Sequence, residues 1–211
     1  MSRRSVVIGA VAAVLAGAFY FTGLWMLPVI MLMNLVQTTE FQVKDDMLVM
    51  SGEINSKTLA QFEEVMAANP QITTLVERDV PGSLDDDTMI ALAYAVREAG
   101  LDTIVYSDSE IHSGGVDLFL AGANRTVHDG AVIGVHSWSD GVREAMDYPR
   151  GAPEHEENRA YIEAMLGNDA FYWFTIEAAP FDGIHEMTND EIERFGIATG
   201  GVQPAQNWEE D

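Results

Sequence analysis

From Ile72 to Tyr106 the chain passes through an apolar run, a Pro-Gly turn, a helical stretch and a second apolar run, and that succession restricts the fold more than any other feature. Ile72 to Val76 reads as a strand, Val80-Pro81-Gly82-Ser83 as a turn, Asp85 to Ala99 as a helix with Gly100 as its C-cap, and Thr103 to Tyr106 as the next strand. This is a βαβ unit, so the chain belongs to the α/β class. Asp85, Asp86 and Asp87 fall at the positive end of the helix dipole and read as capping charge. Upstream, Phe41 to Ile54 reads as a strand or hairpin. Ser56 to Asn69 reads as a helix with Ser56 as N-cap and a core stripe of Leu59, Phe62, Val65 and Met66.

Directly after this unit lies the segment IHSGGVDLFLAGANRTVHDGAVIGVH, Ile111 to His136. Ser113 precedes Gly114 and Gly115 and then the apolar run that starts a buried helix. Glycines let the backbone approach a substrate carbonyl, and free N–H groups at a helix start can hold an oxyanion. His136 ends the apolar run AVIGVH, a buried strand whose last side chain emerges where sites collect in open α/β sheets. A serine hydroxyl is a weak nucleophile and takes a neutral imidazole as its usual activator, so Ser113 and His136 are the candidate nucleophile and base.

In order, PGS at 81 to 83, GLDTIVY at 100 to 106, HSGGVDLFLAGANR at 112 to 125 and IGVH at 133 to 136 resemble the Clp protease proteolytic subunit and its relatives in the Clp/crotonase fold. The similarity covers roughly residues 46 to 200. It implies repeated ββα units with a parallel sheet flanked by helices, Ser113 as nucleophile, His136 as general base, and the backbone N–H groups of Gly82 or Ser83 and of Gly114 as the oxyanion hole. The chain departs from the family in having Ser83 where a second glycine is usual and His112 where a small residue usually precedes the serine. By the same resemblance an acid that orients the histidine comes from the loop before the last helix. Asp182 is the choice, with Glu186 and Asp140 as alternatives, and an ordinary turn aspartate is the competing reading of Asp182. The family also implies a peptide or protein substrate and a homo-oligomer, smaller or salt-dependent here because of the charge.

That charge is −23 at neutrality, from 34 acidic and 11 basic residues, and it disfavours nucleic acid as a partner, since phosphate recognition uses Lys and Arg. The chain has no cysteine, which excludes disulfides, thiolate metal sites and a thiol nucleophile. No dinucleotide fingerprint, phosphate loop or paired metal-ligand histidines occur, so no cofactor or metal is expected.

The organisation reads as a membrane anchor over residues 1–36, a Clp/crotonase-like domain over 37–200 and an acidic tail over 201–211, expected to be disordered at its end. Ser5 to Val36 holds no charged residue and exceeds the roughly 20 residues that cross a bilayer as a helix. Arg3 and Arg4 orient it with the domain outside a bacterial inner membrane, facing the periplasm. A cleavable leader ending at Ala16-Gly17-Ala18 is the alternative, but the apolar run continues well beyond it. Residues 137–157 read as a polar loop in which Trp138 and Tyr148 line a binding surface or simply sit on a loose surface segment. A helix from Glu154 to Phe174 follows, then a last helix capped by Thr188 and Glu191 and ended by Gly196. The functional expectation is a membrane-tethered serine hydrolase, most simply a peptidase. A catalytically silent scaffold of the same fold and a crotonase-like coenzyme A enzyme are the alternatives.

Overall fold

The computed structural model describes residues 38–208. An antiparallel hairpin, β1 (Glu40–Lys44) and β2 (Met47–Ser51), opens the chain, followed by α1 (Thr58–Ala68). Three units of similar plan come next. The first contains β3 (Thr74–Glu77), β4 (Asp79–Val80) and α2 (Asp86–Ala99), and the second β5 (Asp102–Val105), β6 (Glu110–His112) and α3 (Gly114–Phe119). The third contains β7 (Arg125–Val127), β8 (Val132–Val135) and, after a long loop, α4 (Glu156–Leu166). Then α5 (Ala170–Ala178), β9 (His185–Glu186) and α6 (Asn189–Phe195) close the domain.

Each unit gives one strand to each of two sheets. The larger sheet has the order β1-β2-β3-β5-β7, with β2, β3, β5 and β7 parallel, and the smaller has the order β4-β6-β8-β9, with only β9 antiparallel. The expected repeated ββα plan with parallel sheets is therefore present. Its core is continuous: Leu48 and Met50 of β2, Leu75 of β3, Val105 of β5 and Leu92, Ala93 and Val96 of α2 are buried together with Phe119. Burying a side chain of this size contributes about 1.5–3 kcal/mol, which explains why the most apolar runs became strands and helix faces.

Register in the smaller sheet decides where the site falls. Val80 pairs with Ile111 and Ile111 with Ile133, and His112 pairs with Gly134. The three parallel strands thus end level with one another. Pro81-Gly82-Ser83, Ser113 and His136 all emerge from the same edge.

Local chemistry sets most helix ends. Asp85 caps α2 by accepting the Thr88 N–H, and Gly100 ends it at φ +70°. Thr188 and Glu191 form the expected capping box on α6, and Gly196 ends that helix. Elsewhere the expectations need correction. The first helix begins at Thr58 rather than Ser56, because Asn55 Oδ1 takes the Lys57 N–H and Thr58 Oγ1 takes the Asn55 N–H, which holds the chain in a turn until Thr58. The single helix expected from Glu154 to Phe174 is two, since Gly167 at φ +80° stops α4 and Asn168 Oδ1 accepts the Ala170 N–H to start α5. The tail is docked as far as residue 208, and its end, where disorder is expected, lies outside the described residues. Ser107 N–H donates to the Gln206 carbonyl, Trp208 N–H donates to Asp108, and the Trp208 ring packs on Tyr106. Among the described residues no helix is long and apolar enough to cross a membrane, and the run read as an anchor lies outside them.

Candidate active site

Ser113 is the residue between β6 and α3, and its backbone sits at φ +52°, ψ −122°. Only one other described residue that is not glycine, the turn residue Asp45, has a positive φ. A conformation of this kind costs about 1–3 kcal/mol for a residue with a Cβ and persists only where surrounding structure imposes it. Here the imposition is visible on both sides. Ser113 N–H donates to the Gly134 carbonyl, continuing the β6–β8 ladder, while the Ser113 carbonyl accepts from Val116 and Asp117 and starts α3. The strand-to-helix reversal in one residue projects the side chain out of the sheet edge, the device by which hydrolases expose a serine nucleophile.

The Pro-Gly turn packs directly against this reversal. A Cβ placed on Gly82 would lie 3.3 Å from Ser113 Cβ, and one on Gly114 would lie 2.6 Å from Ser83 Oγ and 3.1 Å from Ser83 N. Gly114 has no room for a larger residue, and at Gly82, φ +141°, a side chain would be strained as well as crowded. Around the turn, the Gly82 carbonyl accepts the Ile54 N–H and Leu84 N–H donates to the Ile54 carbonyl, so the edge next to Ile54 fixes the turn. The intervening Ser83 N–H is on the Gly114 side. Ser83 Oγ itself donates to Asp86 Oδ1 at 2.5 Å. The three residues read as oxyanion donors, Gly82, Ser83 and Gly114, are therefore gathered against Ser113.

His136 follows β8 and lines the same two clefts as Ser113. Its Nδ1 is 2.8 Å from the Ser137 carbonyl oxygen. A carbonyl only accepts, so in the neutral ring Nδ1 carries the proton and the Nε2 lone pair is free, the tautomer a general base requires. Ser137 is itself fixed, since its N–H donates to the Ala179 carbonyl at the end of α5. The Phe181 ring covers His136 edge-on, with centroids 6.0 Å apart.

The acid is where the structure departs from the expectation. Asp182 is exposed on the loop after α5, and among the described residues no carboxylate forms an ion pair or hydrogen bond with His136. Glu186 is also exposed, on β9. Asp140 is engaged elsewhere: its carboxylate accepts the N–H groups of Val142 and Arg143 and the Tyr148 hydroxyl, which hold it down to about 2. Backbone geometry at Ser137 fills the place on Nδ1 that a carboxylate was expected to take. His112, which stands where the family has a small residue, lies over Gly134, where a Cβ would meet its Cδ2 at 2.4 Å, with Nε2 3.3 Å from Glu110 Oε1.

Two clefts meet at the Ser113–His136 pair. The outer one runs along Pro81 to Leu84, Ser139 and Phe181. The inner one descends between α2, α3, α4 and α5, with apolar walls from Met89, Val116, Ile162 and Ile176. Trp138 belongs to both. The loop carrying it is built rather than loose: Trp138 Nε1 donates to the Tyr172 hydroxyl at 2.9 Å, that hydroxyl lies 2.6 Å from Nδ1 of the buried His155, and Tyr148 packs on His155. Burial pushes the Tyr172 hydroxyl up to about 12. Sequence reasoning missed Asp117, Asn158 and Tyr172, all of which line the inner cleft. Asp117 had a signal, as the one charge in the run VDLFLAGA, whereas Asn158 and Tyr172 come from distant helices and had none. Among the described residues no cluster of His, Asp and Glu could hold a metal ion.

No family model matches the chain, and no curated protein matches it by sequence. Its fold does match solved structures. The 1510-N membrane-bound stomatin-specific protease, as a lysine-to-alanine variant in complex with a substrate peptide, superposes with a TM-score of 0.51 at 18% identity, over 75% of this chain and 73% of that one. A serine-to-alanine variant of the same protease gives 0.52 at 18%, over 78% and 81%. An enoyl-CoA hydratase from Mycobacterium avium subsp. paratuberculosis gives 0.52 at 13%, over 81% and 72%. The architecture is that of the Clp/crotonase fold, which hosts both proteolysis and coenzyme A chemistry.

Proposed function

We propose that this chain is a serine hydrolase acting on peptides, with Ser113 as nucleophile and His136 as general base. The observation that carries the reading is the strained backbone of Ser113, φ +52°, at the mouth of a cleft it shares with His136. In the proposed reaction Nε2 of His136 takes the Ser113 hydroxyl proton as Oγ bonds to the amide carbonyl carbon. The N–H groups of Gly114 and of Gly82 or Ser83 receive the negative oxygen. The imidazolium then returns its proton to the leaving amine as the C–N bond breaks, and water repeats the cycle on the acyl-enzyme. The Ser137 carbonyl holds the imidazole in the productive tautomer, the part first assigned to Asp182. A protease among the fold neighbours agrees with this reading, although likeness at this identity is of fold alone.

The chain's two lysines, Lys44 on β1 and Lys57 before α1, lie outside both clefts, which leaves the histidine as the base. We further propose that the run Ser5 to Val36 tethers the domain to an inner membrane with the site facing the periplasm. An alkaline phosphatase fused after residue 40 should then be active, and an inactive fusion would remove that placement. A homo-oligomer whose size depends on salt completes the proposal, because a net charge of −23 opposes close subunit contact at low ionic strength.

Fluorophosphonate labelling of the full-length protein tests the chemistry. Labelling of wild type that disappears in both Ser113→Ala and His136→Ala supports the assignment. A folded wild type that does not label, or a Ser113→Ala variant that still does, rejects it and favours the silent scaffold.

A further inference from the structure

The inner cleft has an inconsistency that the hydrolytic mechanism leaves unused. Its walls are apolar, yet it contains the carboxyl of Asp117, one helical turn beyond Ser113 on α3. Among the described residues that carboxyl has no hydrogen bond and no ion pair. Its backbone is engaged, the N–H donating to the Ser113 carbonyl and the carbonyl accepting the Tyr161 hydroxyl at 2.5 Å. Asp117 is half-buried, and a carboxylate drawn partly out of water without a partner is costly and is ordinarily paired in native structures. The other charge facing the cleft has the same sign, because Asp86 of α2 lines it as well. Burial, with the Asp86 carboxylate nearby, pushes Asp117 up to about 7. Asn158, from α4, adds an amide to the polar groups.

An aliphatic stem ending in a cation answers each of these features. Its methylenes would lie along Met89, Val116, Ile162 and Ile176, and its charge would meet Asp117, with the Asp86 carboxylate on the side shared with the outer cleft. A neutral apolar side chain would fill the walls but leave the carboxyl buried and unpaired, and an acidic one would add a third like charge. Ser113 and Gly114 line the mouth, so a side chain that enters here belongs to the residue whose carbonyl Ser113 attacks.

We propose that the inner cleft selects a lysine or arginine side chain on the acyl side of the scissile bond, with Asp117 as its counter-charge. This rests on the serine hydrolase reading. The outer cleft along Pro81–Leu84 and Phe181 then carries the neighbouring peptide backbone.

The test separates the two ideas. Full-length wild type is treated with two diphenyl aminoalkylphosphonates that differ only in side chain, one lysine-like and one leucine-like. Each reacts by forming a bond from Ser113 Oγ to phosphorus with loss of phenoxide, and intact mass reports the rate. The lysine-like reagent should label at least about tenfold faster, a modest return for a charge-assisted contact in a desolvated cleft. Asp117→Asn should bring the ratio close to one by slowing the lysine-like reagent. Asp117→Ser serves the same purpose if the asparagine variant does not fold, and the wild-type ratio is informative without either. Faster labelling by the leucine-like reagent, or an unchanged ratio in the Asp117 variants, overturns the selectivity and leaves the hydrolase standing. No labelling by either reagent removes the activated serine and the selectivity with it.

Discussion

Replacing Ser113 by glycine should stabilise the fold while removing its nucleophile. The backbone there is at φ +52°, ψ −122°, imposed by the ladder bond to Gly134 on one side and the start of α3 on the other. For a residue with a Cβ this costs about 1–3 kcal/mol. Glycine escapes that cost but loses more backbone freedom on folding, which returns about 0.4–1 kcal/mol. Taking mid-range values, Ser113→Gly should be more stable than wild type by about 1 kcal/mol. Ser113→Ala keeps its Cβ and its strain, so it should stay within about 0.5 kcal/mol of wild type. For a domain of this size about 1 kcal/mol is a rise of roughly 2–4 °C in Tm. Thermal unfolding of the three proteins followed by circular dichroism, with urea titrations at 25 °C, would measure it. The alanine comparison isolates the backbone, because both variants lose the same hydroxyl. A glycine variant that melts at or below the alanine variant would show that the reversal at Ser113 is not strained, and the argument that the fold holds this serine against its own preference would fail.

Three further outcomes follow from the geometry. Gly114→Ala places a methyl 2.6 Å from Ser83 Oγ and 3.1 Å from its backbone N, so fluorophosphonate labelling should fall about 100-fold with the far-ultraviolet spectrum intact; labelling within twofold of wild type would show that the turn need not press on α3. His136→Gln should lower the labelling rate by about 10²–10⁴, whereas Asp182→Asn should change it less than about threefold, and a large loss in Asp182→Asn would restore the carboxylate to the base. Asp117 has its folded pKa raised above the ordinary carboxylate range, to about 7, so its contribution is fully present below about pH 4 and is lost as pH rises through about 7. Asp117→Asn should therefore match wild type at pH 4 and exceed it in urea-unfolding stability at pH 7.5; a gap that does not widen with pH would mean that the carboxyl is not desolvated.

The strand and helix pattern from Ile72 to Tyr106 was legible because each signal is local. Asp85, Gly100, Thr188 and Gly196 act on backbone groups within four residues, and the alternation of apolar runs and glycine turns needs no knowledge of distant chain. Ser113 and His136 were legible for the same reason, as each ends a strand next to a glycine-rich or polar turn. The split at Gly167 had a local signal too, but apolar residues on both sides, Tyr161, Met165 and Leu166 before it and Phe171 and Tyr172 after it, made the stretch read as one helix. Ser56 was misread because Asn55 Oδ1 and Thr58 Oγ1 together hold these residues in a turn, and the helix starts only at Thr58.

The sequence alone determined which residues could be strands, which turns could be tight, and that a serine and a histidine would stand at strand ends, because those properties depend on backbone conformations reached within a few residues. Only the tertiary structure decided that Val80, Ile111 and Ile133 lie in register, which puts the Pro-Gly turn, Ser113 and His136 at one edge. It also decided that the Ser137 carbonyl rather than Asp182 meets His136, and that α2, α4 and α5 enclose Asp117 in an apolar cleft. These arrangements depend on groups as distant along the chain as Met89 and Ile176, whose approach is set by how the whole core packs. No window of sequence contains that information.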